Sequence, residues 1–484
     1  MPQHSRRLQV ATAGLIAYAI GVVAVVFTPI GWQLNRLTVW IYYVLGHRPA
    51  LARVTPEIVG VGLNVLLFIP LGFLLRQLLG TRAALAVAAL ASVAIEVVQL
   101  LPGLGREASL TDVASNLLGA GVGIGFAAWW LGSASLLPLD SSGRYVELDG
   151  LRGLAVSGVV LYHYFYLYDV YFSSPVPATV GFSYGFMGVQ LFFMISGFVI
   201  LLTARKSARP RDFVIARGTR LYPTYWLCLT ISWVLVAVTA FGPLMRSRAE
   251  IAINYTMIQR LIRVREVDGA YWSLSVELIF YGLVFALLLL IGRLDDRAVV
   301  WLISGWCAIS LVVAAVAHQH PQSGLMHAVT IATAAQYAPL FGVGMFGLLS
   351  RDRGGLHLGA LACTALAGVV TFLYDGPLDA AILVGLALLF TGVVTRPSVG
   401  LLRWRPLVFI GEISYPLYLL HQNLGYWLID HLFPRIQRDL ASIIAIVLVC
   451  CLAWLVHVSV ETRLSRQLRR LLQRRFSPRP VVSA

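Results

Sequence analysis

The chain has 484 residues, of which 58% are hydrophobic and 12% charged, with a mean hydropathy of +0.79. This is far more apolar surface than a soluble core of that length needs, so the bilayer is its solvent. The net charge of +15 does not point to nucleic acid. The Lys and Arg residues sit in short clusters beside apolar runs, as topology signals do. The five cysteines, Cys228, Cys307, Cys363, Cys450 and Cys451, lie inside apolar runs without zinc or redox spacing, and no metal site is expected.

The basic start MPQHSRR and the run to Ile30 have the first two parts of a secretory signal but no small-x-small cleavage site before Pro29, so this run is expected to be retained as a helix. Runs at Leu8 to Ile30, Glu57 to Leu79, Ala83 to Leu101 and Asp112 to Leu131 predict four spans. The segment from Leu131 to Glu147, rich in Ser, Pro and Gly, reads as a linker. Ten further runs follow at 150–170, 184–203, 222–241, 270–291, 298–317, 326–349, 356–374, 378–394, 406–429 and 440–460. The expected fold is thus an all-α polytopic membrane protein, with about four N-terminal transmembrane helices followed by a bundle of about ten. The expected divisions are a first domain over 1–132, a linker over 133–147, a second domain over 148–465 and a basic cytosolic tail over 466–484.

Alternate loops are rich in Lys and Arg when both termini are placed in the cytosol, which predicts a multi-pass protein of the bacterial inner membrane. The exception is Met245 to Glu266, Arg-rich yet on the outer side. Its partly amphipathic spacing suggests a helix on the outer surface or folded over a site.

In the first part, Glu96 stands in the middle of an apolar run, where an ionisable group is costly and ordinarily faces a partner inside the bundle. Gln99 shares its helix face. Arg106, Asp112, Asn116 and Asn64 complete a potential polar cluster, which serves equally well as a lock between helices or as a site for an envelope ligand. The strings NVLLFIPLGFLL, SVAIEVVQLLPGLGR and DVASNLLGAGVGIG resemble the VanZ-like family of bacterial membrane proteins, on Asn64, Pro70, Glu96, Gln99, Arg106, Asp112, Asn116 and Gly119.

In the second part, His163 lies well inside a span beginning LDGLRGLAVSGVVLYHYF, and Arg152 is eleven residues earlier, nearly on the same helix face and about 16 Å away along the axis. Glu277, in YWSLSVELIFYG, and His421, in SYPLYLLHQ beside Tyr415, are further ionisable groups at comparable depth in the outer half. A neutral imidazole can take a proton from a sugar hydroxyl as it attacks a thioester, and a carboxylate can orient that imidazole. His163 is the candidate base and Glu277 its candidate orienter. Arg217 and Arg220, one turn apart in FVIARGTRLYP with Arg205, Lys206, Arg209 and Arg211 nearby, offer a site for the phosphates of a coenzyme A donor. A histidine in a span is also a common packing residue, and a basic loop is also a headgroup contact.

The strings LDGLRGLAVSGVVLYH, GVQLFFMISGFVI, FVIARGTRLYP, YWSLSVELIFY and FIGEISYPLYLLHQ, in order over roughly 145 to 465, resemble the successive motifs of the acyltransferase-3 family. That resemblance implies a bundle of about ten helices. It also implies transfer of acyl groups, often acetyl, to exported or lipid-linked carbohydrate. The expected donor substrate is acyl-CoA, acetyl-CoA in the simplest case, with no metal. It marks Arg152 with His163, and Arg217 with Arg220, as functional pairs, and places Glu277 in a recurring motif. The expected partners are a glycan or glycolipid acceptor, membrane lipids and envelope-biosynthesis proteins, and no nucleic acid.

Two other classes of function remain open on the residues alone. A transporter or flippase of an envelope intermediate would use intramembrane His and Glu as proton relays. An envelope-binding module for antibiotic tolerance would act through the first four helices. The motif order favours transfer.

Overall fold

The computed structural model describes residues 55–99, 110–131, 145–172, 174, 176–239, 244–396 and 399–476, with a few residues between 12 and 42. Among the described residues all regular structure is helical. The chain divides into two compact units, Met1–Ser133 and Ala134–Ala484. Among the described residues eight helices are long and apolar enough to cross a membrane, or nine if one bent pair counts as a single span.

The first unit contains α1 (Pro56–Leu78), α2 (Thr81–Gln99) and α3 (Leu110–Leu131). The expected span Leu8 to Ile30 lies mostly outside the described residues. Glycines set the distance between α1 and α3. A Cβ at Gly119 would fall 2.2 Å from the Val65 carbonyl oxygen, and one at Gly123 2.0 Å from that of Ile69. Spaced four residues apart on one face, these two let the backbones touch, which is how helices pack where lipid supplies no hydrophobic drive.

The second unit contains α4 (Val146–Tyr162), α5 (Gly188–Lys206), α6 (Pro210–Thr239), α7 (Trp272–Ile291), α8 (Asp296–Gln319), α9 (Ala338–Asp352), α10 (Leu358–Asp375), α11 (Pro377–Val394), α12 (Arg405–Glu412), α13 (Ser414–Leu432), α14 (Arg438–Val456) and α15 (Ser465–Phe476). Each of the ten expected runs falls on helical structure, but two are broken. The run 326–349 bends by 52° between Gly324–Thr333 and the helix after it, at Ala334 with φ of 45°. The run 406–429 divides at Ile413 into α12 and α13.

Backbone approach again fixes the packing. Cβ atoms at Gly197 and Gly344 would fall 2.2 Å from the Phe341 oxygen and 2.0 Å from the Met194 oxygen, locking α5 against α9. Phe280, Trp306 and Phe341 stack beside this contact, with Phe280 and Phe341 centroids 4.2 Å apart. Gly153 and Gly411 do the same for α4 and α12. At the far end of α5, Arg205 reaches Asp296 at 2.6 Å and Asp352 at 2.9 Å, tying α5, α8 and α9.

The Arg-rich segment 245–266 is not one long amphipathic helix. It forms a seven-residue helix, Arg248–Asn254, closed by a capping box between Ser247 and Glu250, and then a series of turns. Asn254 holds the turns by donating to the Glu250 and Arg265 carbonyls and accepting from the Val267 amide. Arg265 pairs with Glu250 at 2.7 Å, and Arg260 lies over Trp272. Several of the unexpected arginines are therefore spent inside the loop. At its end, the buried Asp268 accepts from the amides of Ala270 and Asn423, fixing the loop to α13.

Candidate active site

α4 runs as an ordinary helix to Tyr162 and then widens into a π turn over His163–Leu167. Such turns hold one residue more than the α-helix and recur at functional positions. His163 is 9% exposed and His421, on α13, is fully buried. Their rings meet edge to face with centroids 4.6 Å apart, and His421 Nε2 is 3.3 Å from His163 Nδ1.

The surrounding acceptors assign the protons. His421 Nδ1 is 2.7 Å from the Tyr418 carbonyl, so it carries hydrogen and leaves Nε2 with its lone pair. His163 Nδ1 faces that lone pair and the Val159 carbonyl at 2.8 Å, both acceptors, so it carries hydrogen too. His163 Nε2 is then the basic nitrogen. The Gln422 side chain borders this ring.

A buried clamp holds the two histidines together. Tyr164 donates to the His421 carbonyl at 2.6 Å. Arg438, on α14, donates to the Tyr164 carbonyl at 2.7 Å, pairs with Asp169 at 2.9 Å and also bonds Ser442. Its guanidinium lies over Tyr168. The sequence reading missed Tyr164, Asp169 and Arg438. The available signal was weak: both charges sit at the edges of apolar runs, where they read as interface markers.

Glu277 does not stand against His163. Its Oε1 accepts from Ser196 at 2.5 Å and Tyr281 at 2.6 Å, and the group that meets the His163 ring is His421 instead. Glu277 lines a cavity of about 110 Å³ together with Arg152, Arg217, Arg220, Ser273 and Tyr418. Arg217 is buried, donating to the Val199 carbonyl at 2.8 Å and to Thr203. Arg152 pairs with Asp149 at 2.8 Å. Arg220 has no hydrogen bond or ion pair among the described residues.

The cavity ends one side chain from His421. Tyr418 bonds Ser273 and the Ala270 carbonyl, and its ring lies 5.6 Å from that of His421. Tyr415 donates to the Leu221 carbonyl at 3.0 Å. A wider cavity of about 460 Å³ shares Arg152, Arg220, Ser414 and Tyr415 with the first.

In the first unit, Asn64 donates to Asp112 at 2.8 Å and Asn116 to Ser92 at 3.1 Å, so the polar residues link α1 to α3 and α3 to α2. Glu96 is buried one turn beyond Ser92. Arg106 lies outside the described residues.

Residues 145–458 match the family model described as an acyltransferase domain, and residues 15–131 match that of VanZ/LLP1. The chain is 32% identical over 174 residues to BcsY of Komagataeibacter xylinus, described as a membrane-bound transacylase, covering 32% of this chain but only 40% of that protein. It is 22% identical over 265 residues to the exopolysaccharide production protein ExoZ of Rhizobium meliloti, covering 50% of this chain and 76% of the relative. The acyltransferase MdmB of Streptomyces mycarofaciens is 27% identical over 261 residues, covering 49% and 67%. No solved structure matches the chain.

Proposed function

Because the chain belongs to the acyltransferase-3 family, we propose that it moves an acyl group, acetyl in the simplest case, from acyl-coenzyme A to a hydroxyl of an exported or lipid-linked glycan. The observation that carries this reading is the His163–His421 pair, in which the Nδ1 contacts leave His163 Nε2 as the basic nitrogen and His421 stands beside Tyr418, in the wall of a cavity with three arginines. The similarity to ExoZ, an exopolysaccharide production protein, supports a glycan acceptor.

In this mechanism His163 Nε2 takes the proton from the acceptor hydroxyl as its oxygen attacks the thioester carbonyl. The new C–O bond forms, the C–S bond breaks, and the proton passes to the leaving thiolate to give free coenzyme A. The imidazolium formed in transit donates from Nδ1 to His421 Nε2, which takes the orienting part that a carboxylate plays in a catalytic triad. Arg220 faces the donor phosphates, with Arg217 held behind it. The donor head enters from the cytosolic side of the inner membrane and the acceptor from the other.

Purified protein given radiolabelled acetyl-coenzyme A and envelope glycolipids is expected to label an acceptor. A His163→Ala variant with normal turnover would overturn the assignment of the base. An acceptor moved across liposomes with unchanged mass would instead make the chain a transporter.

A further inference from the structure

After Val456 the last membrane helix does not end. It passes through a second π turn, His457–Leu464, into α15. The turn is braced by His457 Nδ1 against Glu461 at 2.8 Å and by Ser465 donating to the Val460 carbonyl five residues back. The extra residue turns everything beyond it by about 100° relative to a continuous α-helix. In this register Arg466 and Arg469 line the cavity of about 460 Å³ together with Arg152 and Arg220.

The charges in that cavity do not balance locally. Of its three carboxylates, Asp149 is taken by Arg152, Glu461 by His457, and Glu412 has a partner that is none of the remaining arginines. Arg220, Arg466 and Arg469 have no hydrogen bond or ion pair among the described residues. A space of this volume is of the size that holds a small molecule, and three uncompensated guanidinium groups around it match a ligand with several phosphate oxygens. Arg466 and Arg469 also lie beyond residue 458, where the family match ends, so this wall belongs to a part of the chain that the family does not define.

We propose that Arg466 and Arg469 complete the donor site by binding the phosphates of the nucleotide end of acyl-coenzyme A. The inference rests on the donor reading above and adds to it the part of the chain that closes the pocket. Phosphate could also be offered by an anionic lipid headgroup. The cavity shares Arg152, Arg220 and Tyr415 with the one that ends at Tyr418, which favours a soluble nucleotide whose thiol arm extends inward.

The test is calorimetric binding of coenzyme A, 3′-dephospho-coenzyme A and pantetheine to the full chain in neutral detergent, for wild type and for an Arg466→Ala/Arg469→Ala double variant. An Arg470→Ala/Arg474→Ala variant removes the same charge from the same helix at positions that do not line the cavity. The first double variant is expected to bind coenzyme A roughly ten- to a hundred-fold more weakly and pantetheine equally well, while the second behaves as wild type. Equal coenzyme A affinity in all three proteins overturns the proposal, as does equal weakening by both double variants. A loss seen only for binding of phosphatidylglycerol vesicles assigns the pair to headgroups and overturns it as well. Should wild type bind no coenzyme A, the donor reading falls and takes this site with it. Should binding follow expectation while no acyl transfer occurs, this site stands and the transfer reading falls.

Discussion

His421 Nε2 lies 3.3 Å from His163 Nδ1, across 258 positions of sequence. Because His421 accepts through Nε2, it stabilises His163 most when that ring is protonated. The proposed reaction therefore slows when His421 is removed, while His163 remains as the base. His163→Ala is expected to lower kcat about a hundredfold or more. His421→Ala should lower it by a smaller factor, and both should leave the KM for donor near normal. Steady-state kinetics in detergent check this, and a His421→Ala enzyme with wild-type kcat would remove His421 from the mechanism.

Arg438 joins α14 to the π turn by way of Asp169 and the Tyr164 carbonyl. Truncating one partner of a buried ion pair strands the other, at a cost of about 3 kcal/mol or more. Arg438→Ala should therefore unfold at clearly lower temperature than wild type and lose turnover in parallel. Arg438→Lys should not restore either property, because a single ammonium does not reproduce the guanidinium fork. Thermal unfolding in detergent, followed by intrinsic fluorescence, decides it.

Gly425 is where α13 meets Tyr164. A Cβ there would fall 1.9 Å from the Tyr164 hydroxyl oxygen and 2.1 Å from the ring carbon bearing it. The side chain cannot yield without giving up its bond to the His421 carbonyl. Gly425→Ala should cost about 1–3 kcal/mol as an overpacking change and reduce turnover. Gly282→Ala, with nothing near the added carbon, should do neither. Equal melting temperatures for the two variants would show that the contact is not constraining.

Asp268 lies just before the membrane-spanning part of α7, and burial pushes its carboxyl up to about 7, against the pull of the Ala270 and Asn423 amides. The folded value is raised above the ordinary 3.8. The folded state therefore holds the proton more tightly, and stability falls as pH rises from about 4 to about 7. Wild type should lose thermal stability across this interval relative to Asp268→Asn, which does not titrate. A difference between the two that is flat with pH would contradict this.

The ten apolar runs of the second unit were legible because a membrane span needs about twenty apolar residues whatever its neighbours. His163 and His421 stood out for the same reason, as ionisable groups where lipid makes them costly. Which of them meet was not legible. Glu277 and His421 both suit an orienting role beside an imidazole, and only the packing of α13 against the end of α4 selects His421. The clamp was hidden for a different cause. Asp169 and Arg438 occur where a span meets water, the place where charges are common and carry little information. The break at Ala334 was hidden too, since neither Gly nor Pro stands within four residues of it, whereas Gly411 and Pro416 flank the one at Ile413.

The π turn at His163 also bears on how such a gene can lose its activity. A π turn has the length of an α-helical segment with one residue inserted. Loss of one codon between 164 and 167 can thus be absorbed by closing the turn into regular helix, with the span still long enough to cross the bilayer. Everything after the deletion then keeps its facing, so Asp169 stays with Arg438, and what is lost is the widened turn at His163 and Tyr164 itself. The product would insert and assemble as a membrane protein while being catalytically silent. Inactive alleles of this kind should be found by sequencing strains that have lost acylation yet keep the full-length protein in their membranes.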